Sequence, residues 1–191
     1  TGQTTLLTGV NGAATMNRHY GPWPGPTLIT LLEAGTLFHE AERLGGAVLA
    51  NAYPDDYFRT IGSRRFKPNA PVVAARSAGV ELRGMRYYLE GEAVVVDLSG
   101  ERFAAMHPGA APQSPELAAD VLAAMAERAP LTFLDVWLTD TLGHARDGAG
   151  AVRLLERLDR LLGALLHAGA GSSFTLVLTS DHGNLEDLST R

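Results

Sequence analysis

The most informative absence in this sequence is that of cysteine: none occurs among its 191 residues. Disulfide bonds and thiolate metal ligands are therefore excluded, so any metal site must use histidine, carboxylate, hydroxyl or water ligands. A chain without disulfides is compatible with a cytoplasmic location, which is the location we expect.

Long apolar runs and an excess of positive charge are also missing. No stretch reaches the roughly 18 apolar residues that a membrane-spanning helix requires. The formal net charge is -5 at pH 7, because 21 Asp and Glu residues outnumber 16 Lys and Arg residues. This balance argues against a nucleic acid or a membrane surface as the main partner and leaves a small molecule as the expected one.

The pattern of apolar residues indicates alternating helices and short strands in a globular chain. Helical spacing predicts helices at 27–33, 36–44, 70–78, 101–106, 115–128 and 149–167, and apolar runs predict strands at 47–50, 93–97, 132–138 and 174–179. The order strand, helix, strand over 132–179 is typical of a βαβ crossover, which makes its two strands parallel. The fold class predicted is α/β, as a three-layer α/β/α sandwich with a mainly parallel sheet.

We predict a single domain over residues 1–191. The periodicity weakens between residues 54 and 112, which we interpret as a cap or an insertion in that domain. Asn51 follows the end of the strand at 47–50 and is expected to approach the functional site.

Two predicted strands end in acidic and imidazole side chains. Asp181 and His182 follow the strand at 174–179, and Asp140 and His144 follow the strand at 132–138. Because parallel strands of a crossover end at the same sheet edge, these side chains are expected to meet there. A hydrogen-bonded turn is the alternative for either pair alone, but two pairs at adjacent strand ends favour a metal site.

The donor set indicates which metals would bind. Aspartate and histidine suit Zn or Mn, and Mg is an alternative at the more carboxylate-rich position. Two such ions about 4 Å apart can clamp an in-line displacement at phosphorus. The four-residue spacing of Asp140 and His144 places both on one side of a helical turn or a wrapping loop. Asp181 and His182 can reach one ion where the chain bends, and Gly183 permits a bend.

Other candidate residues come from less specific patterns. Thr1 and Thr4 lie in a hydroxyl-rich segment that begins a short helix, and an ordinary capped turn is the alternative. Arg18 and His19 lie in a loop from residue 11 to residue 26 and suit contact with a substrate. Arg64 and Arg65 belong to a basic patch that suits a phosphate or carboxylate group, or that simply forms solvated surface. The isolated histidines, His39, His107 and His167, are expected in surface or packing roles.

The segment Thr179-Ser180-Asp181-His182-Gly183-Asn184, with Thr139-Asp140-Thr141-Leu142-Gly143-His144 before it, resembles the alkaline phosphatase superfamily of metalloenzymes. Within that superfamily it is most similar to the branch of cofactor-independent phosphoglycerate mutases and phosphopentomutases. The resemblance implies the three-layer fold and two divalent metal ions, with Asp140 and His144 on one ion and Asp181 and His182 on the other. It is strong from residue 131 onward, and the segment Thr1 to Gly9 is similar to the region of the family's nucleophile.

The resemblance also implies a reaction. It is the transfer of a phosphoryl group, by a phosphohydrolase or a phosphomutase, through a Ser or Thr nucleophile that is transiently phosphorylated. Small phosphorylated molecules are the implied substrates, and sulfate or phosphonate compounds remain alternatives. A non-catalytic α/β module that binds an anion or a partner and keeps a vestigial metal site is the rival interpretation.

Some of the family's functional groups have no counterpart in this sequence. The Asp after a first strand and a further His downstream of Asp-His-Gly are missing, and by its spacing to Gly2 the family's hydroxyl falls just before Thr1. Thr1 and Thr4 are the nearest hydroxyl groups. We therefore expect these 191 residues to be an internal piece of a longer enzyme, and expect the piece alone to bind divalent ions weakly and to be inactive.

Overall fold

The computed structural model describes residues 1–61, 63, 67–171 and 173–189. These residues form a mixed α/β structure. Its helices are α1 Gly2–Thr8, α2 Gly12–Met16, α3 Pro26–Ala34, α4 Leu37–Arg43, α5 Asp55–Thr60, α6 Ala70–Ser77, α7 Met85–Leu89, α8 Glu101–Met106, α9 Pro115–Ala126, α10 Leu138–Ala145 and α11 Gly148–Ala168, and its strands are β1 Ala47–Leu49 and β2 Leu131–Phe133.

The chain divides into two compact units. Unit one contains Thr1–Leu49, Tyr53–Leu82 and Ala129–Phe133, and unit two contains Ala50–Ala52, Arg83–Arg128 and the chain from Leu134 onward. The region at 54–112, interpreted as a cap, therefore contributes to both units. A single domain with an inserted cap stays a prediction.

Unit one is built around a parallel pair of strands. β1 pairs with β2 in the register Ala47–Leu131, Val48–Thr132 and Leu49–Phe133. The ring of Phe38 on α4 lies 5.6 Å from the ring of Phe133 on β2. Leu28 and Leu32, one turn apart on α3, are fully buried. The prediction of an α/β fold with parallel pairing is thus confirmed, while the three-layer arrangement stays a prediction.

Unit two is organised by the packing of α9 against α11. The apolar stripe of each helix is buried, with Val121, Leu122 and Met125 on α9 and Leu154, Leu161 and Leu165 on α11. Burial of each such side chain contributes about 1.5–3 kcal/mol relative to exposure. No helix in the described parts of the chain has the length and apolarity needed to cross a bilayer.

Side-chain caps and one ion pair fix the ends of these helices. The Ser114 hydroxyl accepts from the Leu117 amide at the start of α9, and the Asp147 carboxylate accepts from the Gly150 amide at the start of α11. Arg160 on α11 donates two hydrogen bonds, 2.8 and 2.9 Å long, to the Glu116 carboxylate on α9. These bonds to the guanidinium hold the pKa of Glu116 below its usual value.

Three predicted strands differ from the structure. The strand at 132–138 is shorter than predicted, because β2 ends at Phe133 and the chain enters α10 at Leu138. At 93–97 the structure has one isolated bridge, from Val94 to Asn51. The prediction of a strand at 174–179 is wrong, since these residues lie in no strand, and the βαβ crossover predicted over 132–179 is therefore not formed.

The run from 174 to 179 shows why that prediction fails. Leu176, Val177 and Leu178 are 39%, 76% and 67% exposed. β-Branched and large apolar residues favour a strand, but a strand also needs a neighbour whose N–H and C=O groups complete its hydrogen bonds. The residue types at 174–179 therefore favour a strand, but they do not determine whether a neighbouring strand is available to pair with it.

A buried asparagine joins distant parts of unit two. Asn51 is 0% exposed; its Nδ2 donates to the Asp135 carbonyl over 2.8 Å, and its Oδ1 accepts from the Asp135 amide over 2.9 Å. This pair of bonds satisfies both backbone groups of Asp135, which is itself 8% exposed. It fixes the backbone five positions before Asp140.

Replacing Asn51 by alanine leaves the buried Asp135 N–H and C=O groups without these bonds. We expect Asn51→Ala to lower the free energy of unfolding by roughly 2–4 kcal/mol, since each unsatisfied buried group costs about 1–3 kcal/mol. Urea denaturation measures the change. The control, Asp120→Ala at an exposed position of α9, should shift stability by less than about 0.5 kcal/mol. Equal shifts for the two variants would contradict this role for Asn51.

The lowered pKa of Glu116 predicts a pH-dependent contribution to stability. A carboxyl whose pKa is lower in the folded state stabilises the fold above its unfolded-state pKa, and the contribution is lost as the pH falls through the folded-state pKa. Melting temperatures between pH 7 and pH 3 should therefore show wild type above Glu116→Gln at neutral pH, with the gap closing in acid.

The control for this comparison is Glu156→Gln, which also removes one carboxylate from this helix pair. It reports the general effect of losing a negative charge. A gap between wild type and Glu116→Gln that stays constant across the pH range would show that the ion pair with Arg160 does not provide the pH dependence.

Candidate metal centre

The helix α10 carries the first pair of predicted ligands. Asp140 and His144 lie one turn apart on the same face, and the distance from His144 Nε2 to Asp140 Oδ1 is 3.4 Å. Of the two arrangements that the spacing allowed, the structure has the helical turn. α10 ends at Ala145; the next residue, Arg146, has a left-handed φ of 54°, and the Asp147 amide donates to the Leu142 carbonyl over 3.1 Å.

The second pair lies in the loop after residue 179, within the same unit. His182 Nε2 is 3.6 Å from Asp181 Oδ2 and 3.8 Å from Asp140 Oδ1. The structure therefore brings the two sequence pairs together although the predicted strand before Asp181 does not form. Asp140 is the residue they share, because its Oδ1 atom faces both imidazoles.

The orientation of His182 suits metal binding through Nε2. Its Nδ1 atom lies 3.0 Å from the carbonyl oxygen of Gly183. In the tautomer whose Nδ1–H donates to this carbonyl, the Nε2 lone pair points to the side of the two carboxylates. Metal-binding histidines commonly have this arrangement, in which one nitrogen is held by a backbone carbonyl and the other binds the ion. The Ser180 hydroxyl also donates to the carbonyl oxygen of His182, over 2.7 Å.

The donor separations within each predicted pair are close to those of two ligands on one ion. Two ligands that each lie about 2.1 Å from one tetrahedral ion are separated by about 3.4 Å. The separations here are 3.4, 3.6 and 3.8 Å. Among the residues that the structure describes, no group of three or more His, Asp or Glu side chains is arranged so that it could hold a metal ion. The donors therefore lie as adjoining pairs, and their binding of metal ions stays a prediction.

The four side chains differ in their contact with solvent. The side chains of Asp140, Asp181 and His182 are 39%, 30% and 38% exposed, and that of His144 is 76% exposed. The cluster is thus open to solvent on the side of His144.

One functional candidate, Asn184, was missed in the sequence. Asn184 Nδ2 donates to Asp140 Oδ1 over 2.7 Å and to the Asp140 carbonyl over 3.1 Å. The Asn184 amide in turn donates to Glu186 Oε2 over 2.7 Å. The position of Asn184 directly after Asp-His-Gly was the available signal for a role at the site. The sequence could not show that its partner is Asp140, 44 positions away.

The other predicted site residues lie in unit one or outside the described residues. The Thr1 hydroxyl is 3.3 Å from His19 Nδ1, and the Arg18 guanidinium lies over the Tyr20 ring at 5.5 Å. Thr4 is 1% exposed. Arg64 and Arg65 fall outside the part of the chain that the structure describes.

Asn51 and two of the isolated histidines have structural contacts. Asn51 bonds to the Asp135 backbone rather than to a predicted ligand. His39 Nδ1 lies 2.9 Å from the Thr36 hydroxyl, and the His107 ring packs 4.6 Å from that of Phe103. Surface or packing roles were expected for these histidines, and neither contact is with a predicted metal ligand.

Comparison with known proteins gives one curated relative of named activity. The chain is 33% identical over 75 residues to the 2,3-bisphosphoglycerate-independent phosphoglycerate mutase of Wolinella succinogenes. The aligned part is 39% of this chain and 15% of that protein, so the chain spans only a small part of the relative it matches. No solved structure matches the chain.

The family comparison covers the second half of the chain. The model of the Metalloenzyme superfamily matches residues 82–190, a range that contains Asp140, His144, Asp181 and His182. Because this range is more than half of the sequence, the chain belongs to the Metalloenzyme superfamily, and the resemblance to the mutase branch of alkaline phosphatase-like enzymes is confirmed.

Proposed function

We propose that this chain takes part in metal-dependent phosphoryl transfer, with Asp140, His144, Asp181 and His182 as the metal ligands. The observation that carries the proposal is the position of Asp140 Oδ1, which lies 3.4 Å from His144 Nε2 and 3.8 Å from His182 Nε2. Membership of the superfamily implies divalent metal cofactors and an enzymatic role. The relative's name supports a small phosphorylated substrate.

The proposed centre holds two divalent ions, Mn or Zn, with Mg as the alternative. Asp140 and His144 would hold one ion, and Asp181 and His182 the other. His182 Nε2 lies at similar distances from Asp181 and Asp140, which supports a closely spaced centre in which Asp140 faces both groups. Imidazole and carboxylate donors in this combination favour Zn or Mn over Ca.

Each group would have a specific task. Divalent ions held by these residues would neutralise charge on the phosphoryl oxygens and make a hydroxyl group more acidic. The carboxylates of Asp140 and Asp181 supply the negative charge that retains cations at a solvent-open position. His182, held through Nδ1 by the Gly183 carbonyl, presents Nε2 in a fixed direction.

A Ser or Thr hydroxyl is the proposed nucleophile. Thr1 is favoured over Thr4, because Thr4 is 1% exposed and its side chain belongs to the core of unit one. The Thr1 hydroxyl lies 3.3 Å from His19 Nδ1, a base that can accept the hydroxyl proton. Arg18, with Arg64 and Arg65, is proposed to bind anionic groups of the substrate. Hydrolase and mutase differ in whether water or a second substrate hydroxyl accepts the phosphoryl group.

The proposal predicts loss of metal and of turnover together when a ligand is removed. In the protein as its gene encodes it, Asp181→Asn should weaken Mn²⁺ binding by about tenfold or more, since even partners of metal ligands contribute that much. Binding is measured by Mn²⁺ titration followed by electron paramagnetic resonance. Turnover is measured with a panel of phosphomonoesters and phosphodiesters in Mn²⁺ or Zn²⁺.

The matched control is Asp159→Asn, which removes a carboxylate from an exposed position of α11 in the same unit. It should leave both measurements unchanged. If wild type binds Mn²⁺ but turns over no ester, the chain is a binding module with a vestigial site. If Asp181→Asn retains full Mn²⁺ affinity, the proposed ligand set is wrong.

A further inference from the structure

We propose that Asn184 is a positioning residue that orients the Asp140 carboxylate for metal binding, and that Gly143 is glycine in order to admit the Asn184 side chain. The inference rests on the proposed function, since it concerns how one proposed ligand is held. Asn184 itself is not a proposed ligand or catalytic residue.

The hydrogen bonds of Asn184 hold Asp140 at two points. Its Nδ2 group donates to the carboxylate Oδ1 over 2.7 Å and to the backbone carbonyl of the same residue over 3.1 Å. Because one donor group binds both the carboxylate and the main chain of Asp140, it restricts rotation of the Asp140 side chain. The carboxylate plane is therefore fixed relative to α10 before any ion arrives, which is how outer partners of metal ligands act.

The packing of Gly143 explains a residue that the helix does not favour. Gly143 is buried in the interior of α10, where alanine would stabilise a helix more than glycine does. A Cβ atom at this position would lie 2.7 Å from Asn184 Cγ and 2.8 Å from both Nδ2 and Oδ1. Such distances are shorter than carbon contacts allow. The absence of a Cβ atom at Gly143 therefore leaves the space in which the Asn184 side chain packs against α10.

The backbone of Asn184 is fixed from the other side. Its amide donates to Glu186 Oε2 over 2.7 Å, and a Cβ atom at Gly183 would overlap the Glu186 carboxylate. Two glycines therefore make room for one connected set of contacts, from Glu186 to Asn184 and from Asn184 to Asp140. These contacts join the loop that carries Asp181 and His182 to α10, which carries Asp140 and His144. Neither imidazole group takes part in them.

A double-mutant cycle tests the inference in the protein as its gene encodes it. Asn184→Ala should weaken Mn²⁺ binding by about 10–100-fold, the usual cost of losing a partner of a metal ligand. Gly143→Ala should cause a similar loss, because the added methyl displaces Asn184. In the double variant the glycine substitution should cause no further loss, since the side chain it displaces is gone.

A matched glycine provides the control. Gly163 lies in the interior of α11, and a Cβ atom there would meet nothing within 4 Å. Gly163→Ala should therefore leave the Mn²⁺ affinity unchanged and raise the melting temperature slightly, as expected for alanine in an open helix position. Melting of the metal-free variants separates general unfolding from loss of orientation.

The outcomes distinguish this inference from the proposed function. If Asp181→Asn loses Mn²⁺ affinity while Asn184→Ala keeps it, the positioning role is wrong and the metal centre stands. Additive losses in the double variant would show that Gly143 acts independently of Asn184. If wild type binds no Mn²⁺, the proposed function fails and the positioning role fails with it.

Discussion

The contact between Asn184 and Asp140 is the interaction on which the candidate metal centre depends. It joins two segments that are 44 positions apart in sequence through hydrogen bonds to both the carboxylate and the main chain of Asp140. Neither segment has a regular strand to place it, since β2 ends at Phe133 and residues 174–179 lie in no strand. Side-chain contacts therefore hold the loop at 180–186 next to α10, a placement that the edge of a sheet was expected to provide.

The centre combines local rigidity with openness. Asp140 and His144 belong to one helix, so their relative position is set by the backbone hydrogen bonds of α10. Asp181 and His182 belong to a loop whose shape is fixed by short polar contacts within 180–186. The acid and imidazole groups remain partly exposed while these contacts keep them near each other.

The sequence predicted those parts of the site that depend on local spacing. A four-residue offset determines that Asp140 and His144 share a helical face in any helix, and the structure has that helix. The caps at Ser114 and Asp147 are likewise local, because each side chain reaches only three residues ahead. The helices predicted at 115–128 and 149–167 have nearly the limits of α9 and α11, whereas α2, which Asn11 caps in the same way, lies in a segment predicted to be a loop.

The sequence did not predict features that depend on a partner elsewhere in the chain. Asn184 is a common type of turn residue, and nothing near it indicates that its amide reaches Asp140. Gly143 is recognisable as a packing glycine only when the group above it is known. Asn51 was expected near the site, yet its bonds are to the Asp135 backbone. Tertiary contacts decided each of these positions.

The exposed run at Leu176, Val177 and Leu178 has a further consequence for the isolated chain. An extended apolar stretch outside any sheet leaves main-chain groups available for pairing with another molecule. Stretches of this composition favour self-association through cross-strand ladders as concentration rises. Since the run leads directly into Ser180 and Asp181, any pairing of its main chain with another molecule would take place next to a proposed metal ligand.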